Sequence, residues 1–126
     1  MNDGQIVCYL RKINPYVFEE LVLYALMKKG YSVKRNAKYS NDGGIDGKVL
    51  IDKRWCYIQC KRYKNYINLK HVNDFSTLCR EMRVKGYFIH TGKTGRGSKM
   101  AVNETDYVEI INGLGLLKLL WKNGTK

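Results

Sequence analysis

The sequence has little proline and no long apolar run, and each shortage excludes a class of protein. A single proline among 126 residues, with no proline- or serine-rich linker, favours one domain over two. No stretch approaches the roughly 18–20 apolar residues that a membrane-spanning helix needs, and the first residues lack the form of a signal peptide. We therefore expect a single cytoplasmic domain over residues 1–126, with its core at about 14–120 and no membrane partner.

Cysteine and histidine are too few and too scattered for a zinc site. The four cysteines form no C-x-x-C pair, and only two histidines exist to complete a cluster. We expect Cys60 and Cys79 to be reduced thiols buried in the core. His71 and His90 are interpreted as structural residues or phosphate contacts, with catalysis by either the less favoured alternative.

Acidic residues are scarce relative to basic ones. The 11 Asp and Glu against 23 Lys and Arg give a formal net charge of +12 at pH 7. A small basic domain binds nucleic acid favourably because neutralising phosphates releases counterions. An acidic membrane surface is the alternative, but no basic amphipathic helix stands out. The charge therefore favours a nucleic-acid partner: DNA, with RNA as an alternative.

Hydrophobic spacing predicts an α/β fold. Asn14 and Pro15 indicate the start of a helix that Gly30 ends, and Asp52 with Lys53 predicts a hairpin turn. Helices between later strands imply parallel pairing, so we expect a mixed sheet with helices on both faces. The predicted order is helix 14–30, strands 31–35, 45–51 and 55–61, helix 69–85, strand 87–91, short helix 97–104, strand 107–111 and helix 114–121.

The hairpin places chemically useful side chains next to each other. Side chains alternate along a strand, so Gln59 and Lys61 share the face opposite the small apolar residues at 56, 58 and 60. A tight hairpin can bring Asp46 beside them, with the glycines at 43, 44 and 47 leaving room for a phosphate backbone. Carboxylate and amide oxygens suit Mg²⁺, and an adjacent lysine can position or deprotonate water. This combination suits phosphodiester hydrolysis.

Several segments together resemble the Mrr-type restriction endonucleases of the PD-(D/E)XK nuclease superfamily. Each motif is loose alone, but their shared order and spacing over about residues 14–120 make the resemblance specific. It implies a restriction-endonuclease-like αβββαβ core and a Mg²⁺-dependent DNA nuclease in which Mn²⁺ substitutes. The segments are Phe18-Glu19, Gly30-Tyr31, Gly43 to Asp46, Gln59 to Tyr63 and, more weakly, Gly86 to Ile89, Thr91-Gly92, Ala101 and the tail at 110–120.

The resemblance also implies roles for four residues. It makes Asp46 a metal ligand, puts Gln59 in the position usually held by an acid, and makes Lys61 the catalytic lysine. Glu19 matches the acid on the first helix of these nucleases. It would be a further metal ligand and would compensate for the negative charge that Gln59 lacks. The alternatives are that Asp46 is a turn residue, that Lys61 is a surface lysine and that Glu19 is a solvated helix acid. No separate target-recognition domain is expected in this chain.

Basic and tyrosine residues near this site are candidates for nucleic-acid contacts. The segment 92–94 lacks the spacing of a P-loop and fits phosphate contacts better. Tyrosines at 39, 63 and 66 are candidates for stacking on bases or sugars. The candidate phosphate contacts are Lys38, Arg62, Lys64, Lys93, Arg96 and Lys99.

These features predict a Mg²⁺-dependent endonuclease that hydrolyses DNA phosphodiester bonds. A homodimer is an option by symmetry, although no sequence feature indicates it. Three alternatives stay open: a structure-selective nuclease of the junction-resolvase kind, an RNA-cutting effector or toxin, and a non-catalytic nucleic-acid-binding module.

Overall fold

The computed structural model describes residues 2–36, 44–93 and 107–121, the last three as backbone only. The predicted helix at 97–104 and most of the predicted loop at 36–44 lie outside these ranges. The elements, in chain order, are α1 (Asp3–Leu10), α2 (Pro15–Lys28), β1 (Val33–Arg35), β2 (Gly47–Ile51), β3 (Arg54–Lys61), α3 (Leu69–Met82), β4 (Gly86–His90), β5 (Val108–Ile111) and α4 (Gly113–Trp121).

The five strands form one mixed sheet in the order β1-β2-β3-β4-β5. The first three pair antiparallel, and β3, β4 and β5 pair parallel, as the sequence predicted. The predicted turn at Asp52 and Lys53 joins β2 to β3 with positive φ angles of 52° and 68°, the backbone that tight hairpins require. The hairpin register pairs Gly47 with Ile58, so Asp46 and Gln59 follow directly at the open end.

Helix α1 was not predicted from the sequence. It is only eight residues long, and it begins at a capping box. The side chain of Asn2 accepts from the Gln5 N–H, and the side chain of Gln5 accepts from the Asn2 N–H. Its C-terminal end is tied to the sheet, because Arg11 Nε donates to the Thr91 carbonyl at 2.6 Å. The Asn2–Gln5 spacing was the available signal, but too few apolar positions follow it to establish a helical period.

Helices cover both faces of the sheet, and each face has its own core. On the first face, α1, α2 and α4 pack on a cluster that includes Val49, Ile58 and Ile89. On the second face, α3 packs on Tyr57 and Phe88. The predicted burial of two cysteines is confirmed: Cys60 lies in the first core and Cys79 in the second, both as free thiols. No helix within the described ranges is long and apolar enough to cross a membrane.

Gly47 corrects one expectation about the site. We expected it to leave room for a phosphate backbone, but it is buried between β1 and α2. A Cβ there would lie 2.8 Å from the Lys34 carbonyl and 3.2 Å from a Leu23 methyl. Its missing side chain therefore permits close packing inside the domain, not access for substrate.

Candidate active site

Asp46 is anchored where the hairpin opens. Its backbone N–H donates to the Ile58 carbonyl at 2.8 Å, and its carboxylate accepts a hydrogen bond of 2.6 Å from the Cys60 N–H. The backbone bond fixes the position of the residue, and the bond to the carboxylate restricts the rotation of this short side chain. The carboxylate is therefore fixed at the end of β2 rather than solvated in a turn.

Glu19 reaches the same point from α2, where its side chain hydrogen-bonds to Asp46. Partial burial, with a further contribution from the Asp46 charge, raises the pKa of Glu19 to about 7, although Lys61 opposes the shift. Burial also raises the pKa of Asp46, against the Cys60 N–H, Glu19 and Lys61, which lower it. Two carboxyl groups in contact cannot both ionise easily, so the pair holds a proton close to neutral pH.

Gln59 supplies an oxygen with no protein partner. The residue is 2% exposed, and its Nε2 donates to the Gly44 carbonyl at 2.8 Å. Its Oε1 is buried and has no hydrogen-bond partner among the described residues. Buried amide oxygens are normally satisfied, so this one is available to a ligand.

The donor set fits a hard divalent ion. Glu19, Asp46 and Gln59 offer only oxygen atoms, which are the ligands that Mg²⁺ prefers. Within the described ranges, no cluster of three or more His, Cys, Asp or Glu side chains could hold a metal. Gln59 is not an acid, so a site made by Glu19, Asp46 and Gln59 does not form such a cluster.

Lys61 ends β3 and is half-buried. Its charge lowers the pKa of Glu19, Asp46 and His71, so one ammonium group acts on both carboxyls and on an imidazole. The structure therefore brings Glu19, Asp46 and Lys61 together at the open end of the hairpin, as predicted. Gln59 precedes Lys61 by two residues on the same side of β3.

A second pair of side chains near Lys61 was not predicted. The Tyr63 hydroxyl lies 2.5 Å from His71 Nδ1, and both side chains are half-buried. The sequence makes Tyr63 a candidate for stacking on bases, but its hydroxyl contacts His71 inside the protein. The predicted helix at 69–85 already placed His71 in its first turn, as the structure shows, but no signal in the sequence indicated the contact with Tyr63.

The candidate nucleic-acid contacts divide into two groups. Lys93 and Tyr66, predicted from separate segments, pair in an isolated parallel β-bridge. The Lys93 ammonium lies 5.7 Å from the centroid of the Tyr66 ring. Lys64 is exposed beside them in the chain. Arg62 instead donates to the Arg11 carbonyl at 2.7 Å and ties β3 to the end of α1. The other candidates, Lys38, Tyr39, Arg96 and Lys99, lie outside the described residues.

A mixed sheet with helices on both faces, and an acid, a glutamine and a lysine at one hairpin end, are the arrangement that the sequence led us to expect of a restriction-endonuclease-like domain. A family model described as restriction endonuclease, the Mrr catalytic domain, matches residues 10–120. The chain belongs to this family and is a restriction endonuclease catalytic domain. Domains of this type generally use divalent metal ions.

One curated protein and one solved structure are similar to this chain. The chain is 27% identical over 122 residues to the type IV methyl-directed restriction enzyme EcoKMrr of Escherichia coli (strain K12), covering 90% of this chain and 40% of that protein. The MspJI restriction endonuclease, solved in complex with a 27-mer oligonucleotide, shares the fold, with a TM-score of 0.66 and 18% identity. That match covers 97% of this chain and 33% of the other. The chain therefore spans less than half the length of either relative.

Proposed function

We propose that this domain hydrolyses DNA phosphodiester bonds with a divalent ion, Mg²⁺ by preference, held by Asp46, Glu19 and Gln59. The observation that carries the proposal is the contact between the two carboxyl groups beside Lys61, next to a buried glutamine oxygen that has no partner among the described residues. Mn²⁺, which takes the same oxygen ligands, should substitute. The family assignment and the net charge of +12 support DNA as the substrate.

Each protein group has a distinct part in the reaction. When bound, a divalent ion polarises a phosphoryl oxygen and lowers the pKa of a water molecule. Asp46 is held in place by the Cys60 N–H, and the proton on the Glu19–Asp46 pair leaves when a cation binds. Lys61 donates to the phosphate oxygens and offsets the negative charge that grows on them.

Substrate binding rests on charge outside this cluster. Lys64, Lys93 and the Tyr66 ring lie along the chain segments that follow β3 and β4. Lysines contact phosphates without reading sequence, and an exposed tyrosine next to them can stack on a sugar or base. We therefore expect strong dependence of binding on salt and little intrinsic sequence preference in this domain.

A cleavage assay tests the proposal. Linear duplex, single-stranded and branched DNA and a structured RNA would each be incubated with Mg²⁺ or Mn²⁺, with Asp46→Ala and EDTA alongside. Cleavage of DNA that both controls abolish is expected. Preferential cutting of branched DNA would indicate a structure-selective nuclease, and preferential cutting of RNA an RNA-directed one. Metal-independent binding without cleavage of any substrate would overturn the proposal.

The number of sites acting together can be read from the products. One site cuts one strand, so cleavage of both strands requires two domains or two successive events. We propose a homodimer for double-strand cleavage. With supercoiled plasmid, early linear product together with a dimeric mass in solution would support it, and accumulation of nicked circles by a monomer would contradict it.

A further inference from the structure

The Tyr63–His71 pair has a hydrogen-bond pattern that sets the state of the imidazole. Tyr63 is held firmly by Thr91: its N–H donates to Thr91 Oγ1 at 2.9 Å, and the Thr91 hydroxyl donates to its carbonyl at 2.8 Å. The Asn68 backbone N–H bonds to the phenol oxygen. The hydroxyl lies 2.5 Å from His71 Nδ1, and it donates to that nitrogen when the imidazole carries its proton on Nε2.

These contacts favour a neutral imidazole that carries its proton on Nε2. Burial raises the pKa of Tyr63 to about 12, so the phenol keeps its proton and donates it to Nδ1. Burial and the Lys61 charge lower the pKa of His71, which favours the neutral ring at pH 7. In the described part of the chain only Tyr63 hydrogen-bonds this ring, so the Nε2–H is left to donate elsewhere.

The position of His71 relates it to the reaction. By alternation along β3, Lys61 projects on the same face as Tyr57, which packs against α3, and His71 lies in the first turn of that helix. Glu19 approaches from α2 on the opposite face. Lys61 acts electrostatically on both Glu19 and His71, so the two residues flank it from opposite sides of the sheet.

We propose that His71 is a further catalytic residue: its Nε2–H donates a hydrogen bond to a non-bridging oxygen of the phosphodiester being cut, and Tyr63 positions the ring. The inference rests on the proposed function and deepens it. No proton is transferred; the imidazole acts as a neutral donor beside the cationic Lys61. A neutral donor in a partly dry site stabilises charge that develops in the transition state, so its loss should lower kcat more than it raises KM.

Two substitutions at His71 separate this role from a structural one. His71→Gln keeps an amide donor near the position of Nε2, whereas His71→Asn places its amide near Nδ1. Cleavage kinetics of duplex DNA should show kcat about 10- to 100-fold lower for His71→Asn, the effect of one hydrogen bond to a charged group. His71→Gln should stay within a few-fold of the parent, and Tyr63→Phe should fall between them because the tautomer is no longer set.

The results of this series distinguish failure of the inference from failure of the proposed function. Undiminished cleavage by His71→Asn would overturn the inference and leave the proposed function intact. If all three variants lose activity to the same extent, and their Tm falls by the same amount, the pair is purely structural. That result would also overturn the inference. Absence of metal-dependent cleavage by the parent chain would overturn the proposed function, and the inference with it.

The tautomer can be measured without any cleavage. Nitrogen-15 NMR of the metal-free protein at pH 7 should show His71 neutral, with Nε2 protonated and Nδ1 bare. The signal of Nε2 should shift when a short DNA duplex is added with Ca²⁺, an ion chosen to replace Mg²⁺. Protonation at Nδ1, or an Nε2 signal that does not respond to bound duplex, would contradict the proposal.

Discussion

The two faces of the central sheet are packed with different chemistry. The first face, beneath α1, α2 and α4, is lined by apolar side chains such as Val49 and Ile58 and by the thiols of Cys56 and Cys60. The second face, beneath α3, buries Gln59 and His90 from the strands and Ser76 from the helix. A buried polar atom without a hydrogen-bond partner among the described residues, such as Gln59 Oε1 or Ser76 Oγ, costs about 1–3 kcal/mol. The strands of the first face therefore contribute mainly apolar packing, whereas those of the second face also bury polar side chains.

The contrast is sharpest between neighbours on one strand. Ile58 is fully buried in the first core, and Gln59, the next residue, is equally buried but leaves an oxygen unpaired within the described structure. The two side chains point to opposite faces of the sheet, and one is apolar whereas the other is an amide. Substitutions at these two positions, and at other matched pairs, test whether the division between stability and function holds.

The largest expected effect is on cleavage. Asp46→Ala and Lys61→Ala should each lower kcat by about 1,000-fold or more, because each removes a preorganised charge from the reacting centre. The Tm should change little, and DNA affinity should stay within a few-fold, since the basic charge is spread over the surface. Lys28→Ala, which removes one exposed lysine from the end of α2, is the matched control. Cleavage at the parental rate by either site variant would show that the site assignment is wrong.

The neighbouring residues of β3 should respond in opposite ways. Ile58→Ala should lower the free energy of unfolding by about 2–5 kcal/mol, through lost burial and a cavity. Gln59→Leu should leave it within about 1 kcal/mol, because a buried oxygen without a partner is replaced by an apolar group. Chemical denaturation measures both.

The same Gln59→Leu variant tests the metal site. The parent should show a rise in Tm on addition of Mg²⁺, because a ligand that binds only the folded state stabilises it. Gln59→Leu should lose most of that rise, whereas Ile58→Ala should keep it. An undiminished rise in Gln59→Leu would remove Gln59 from the proposed ligand set.

A glycine on the second face tests how closely α3 is packed. A Cβ at Gly86 would lie 2.4 Å from the Cys79 sulfur and 2.8 Å from the Phe75 ring. Gly86→Ala should therefore lower stability by about 1–3 kcal/mol through overpacking. Gly4→Ala is the control: its Cβ would meet only the Asn2 side chain, at 3.5 Å, and alanine favours the helix by about 1 kcal/mol. Equal stability of the two variants would contradict the packing on this face.

The smallest expected effect is on the pH dependence of stability without metal. The pKa of Glu19 is about 7 when folded and 4.5 as the ordinary value, so between these values the folded state binds more protons than the unfolded state. Stability must then fall as pH rises through this window. In EDTA, Tm should drop by about 2–5 °C from this source between pH 5 and 8. Glu19→Gln should remove the drop, whereas Glu20→Gln, which removes only one of the smaller causes of the raised pKa of Glu19, should keep most of it.

Some of the fold followed from local patterns alone. Helix α2 was predicted from its cap, its proline and its apolar period, and the β2–β3 hairpin from two alternating runs around Asp52 and Lys53. These signals are contained within a few residues, so no tertiary information was needed. Helix α1 was missed because eight residues carry too little periodicity, and its position depends on contacts with residues about 80 positions away.

The candidate site followed the same division. Asp46, Gln59 and Lys61 were found because a strand alternates and a hairpin pairs its ends, and Glu19 through the resemblance to a family. The role of Gly47 was wrong, because only the packed structure shows Leu23 and the Lys34 carbonyl against it. The Arg62 contact with the end of α1 likewise depends on a helix that the sequence pattern did not reveal.

By itself, the sequence determined the basic charge, the alternation of helices and strands, and the order of an acid, a glutamine and a lysine along the hairpin. Only the tertiary structure decided that Glu19 and Asp46 share a hydrogen bond, that one oxygen of Gln59 is buried without a partner in the described residues, and that Tyr63 orients His71. The physical reason is distance along the chain. Periodicity and turns act over a few residues, whereas these contacts join different elements, and only packing brings those elements together.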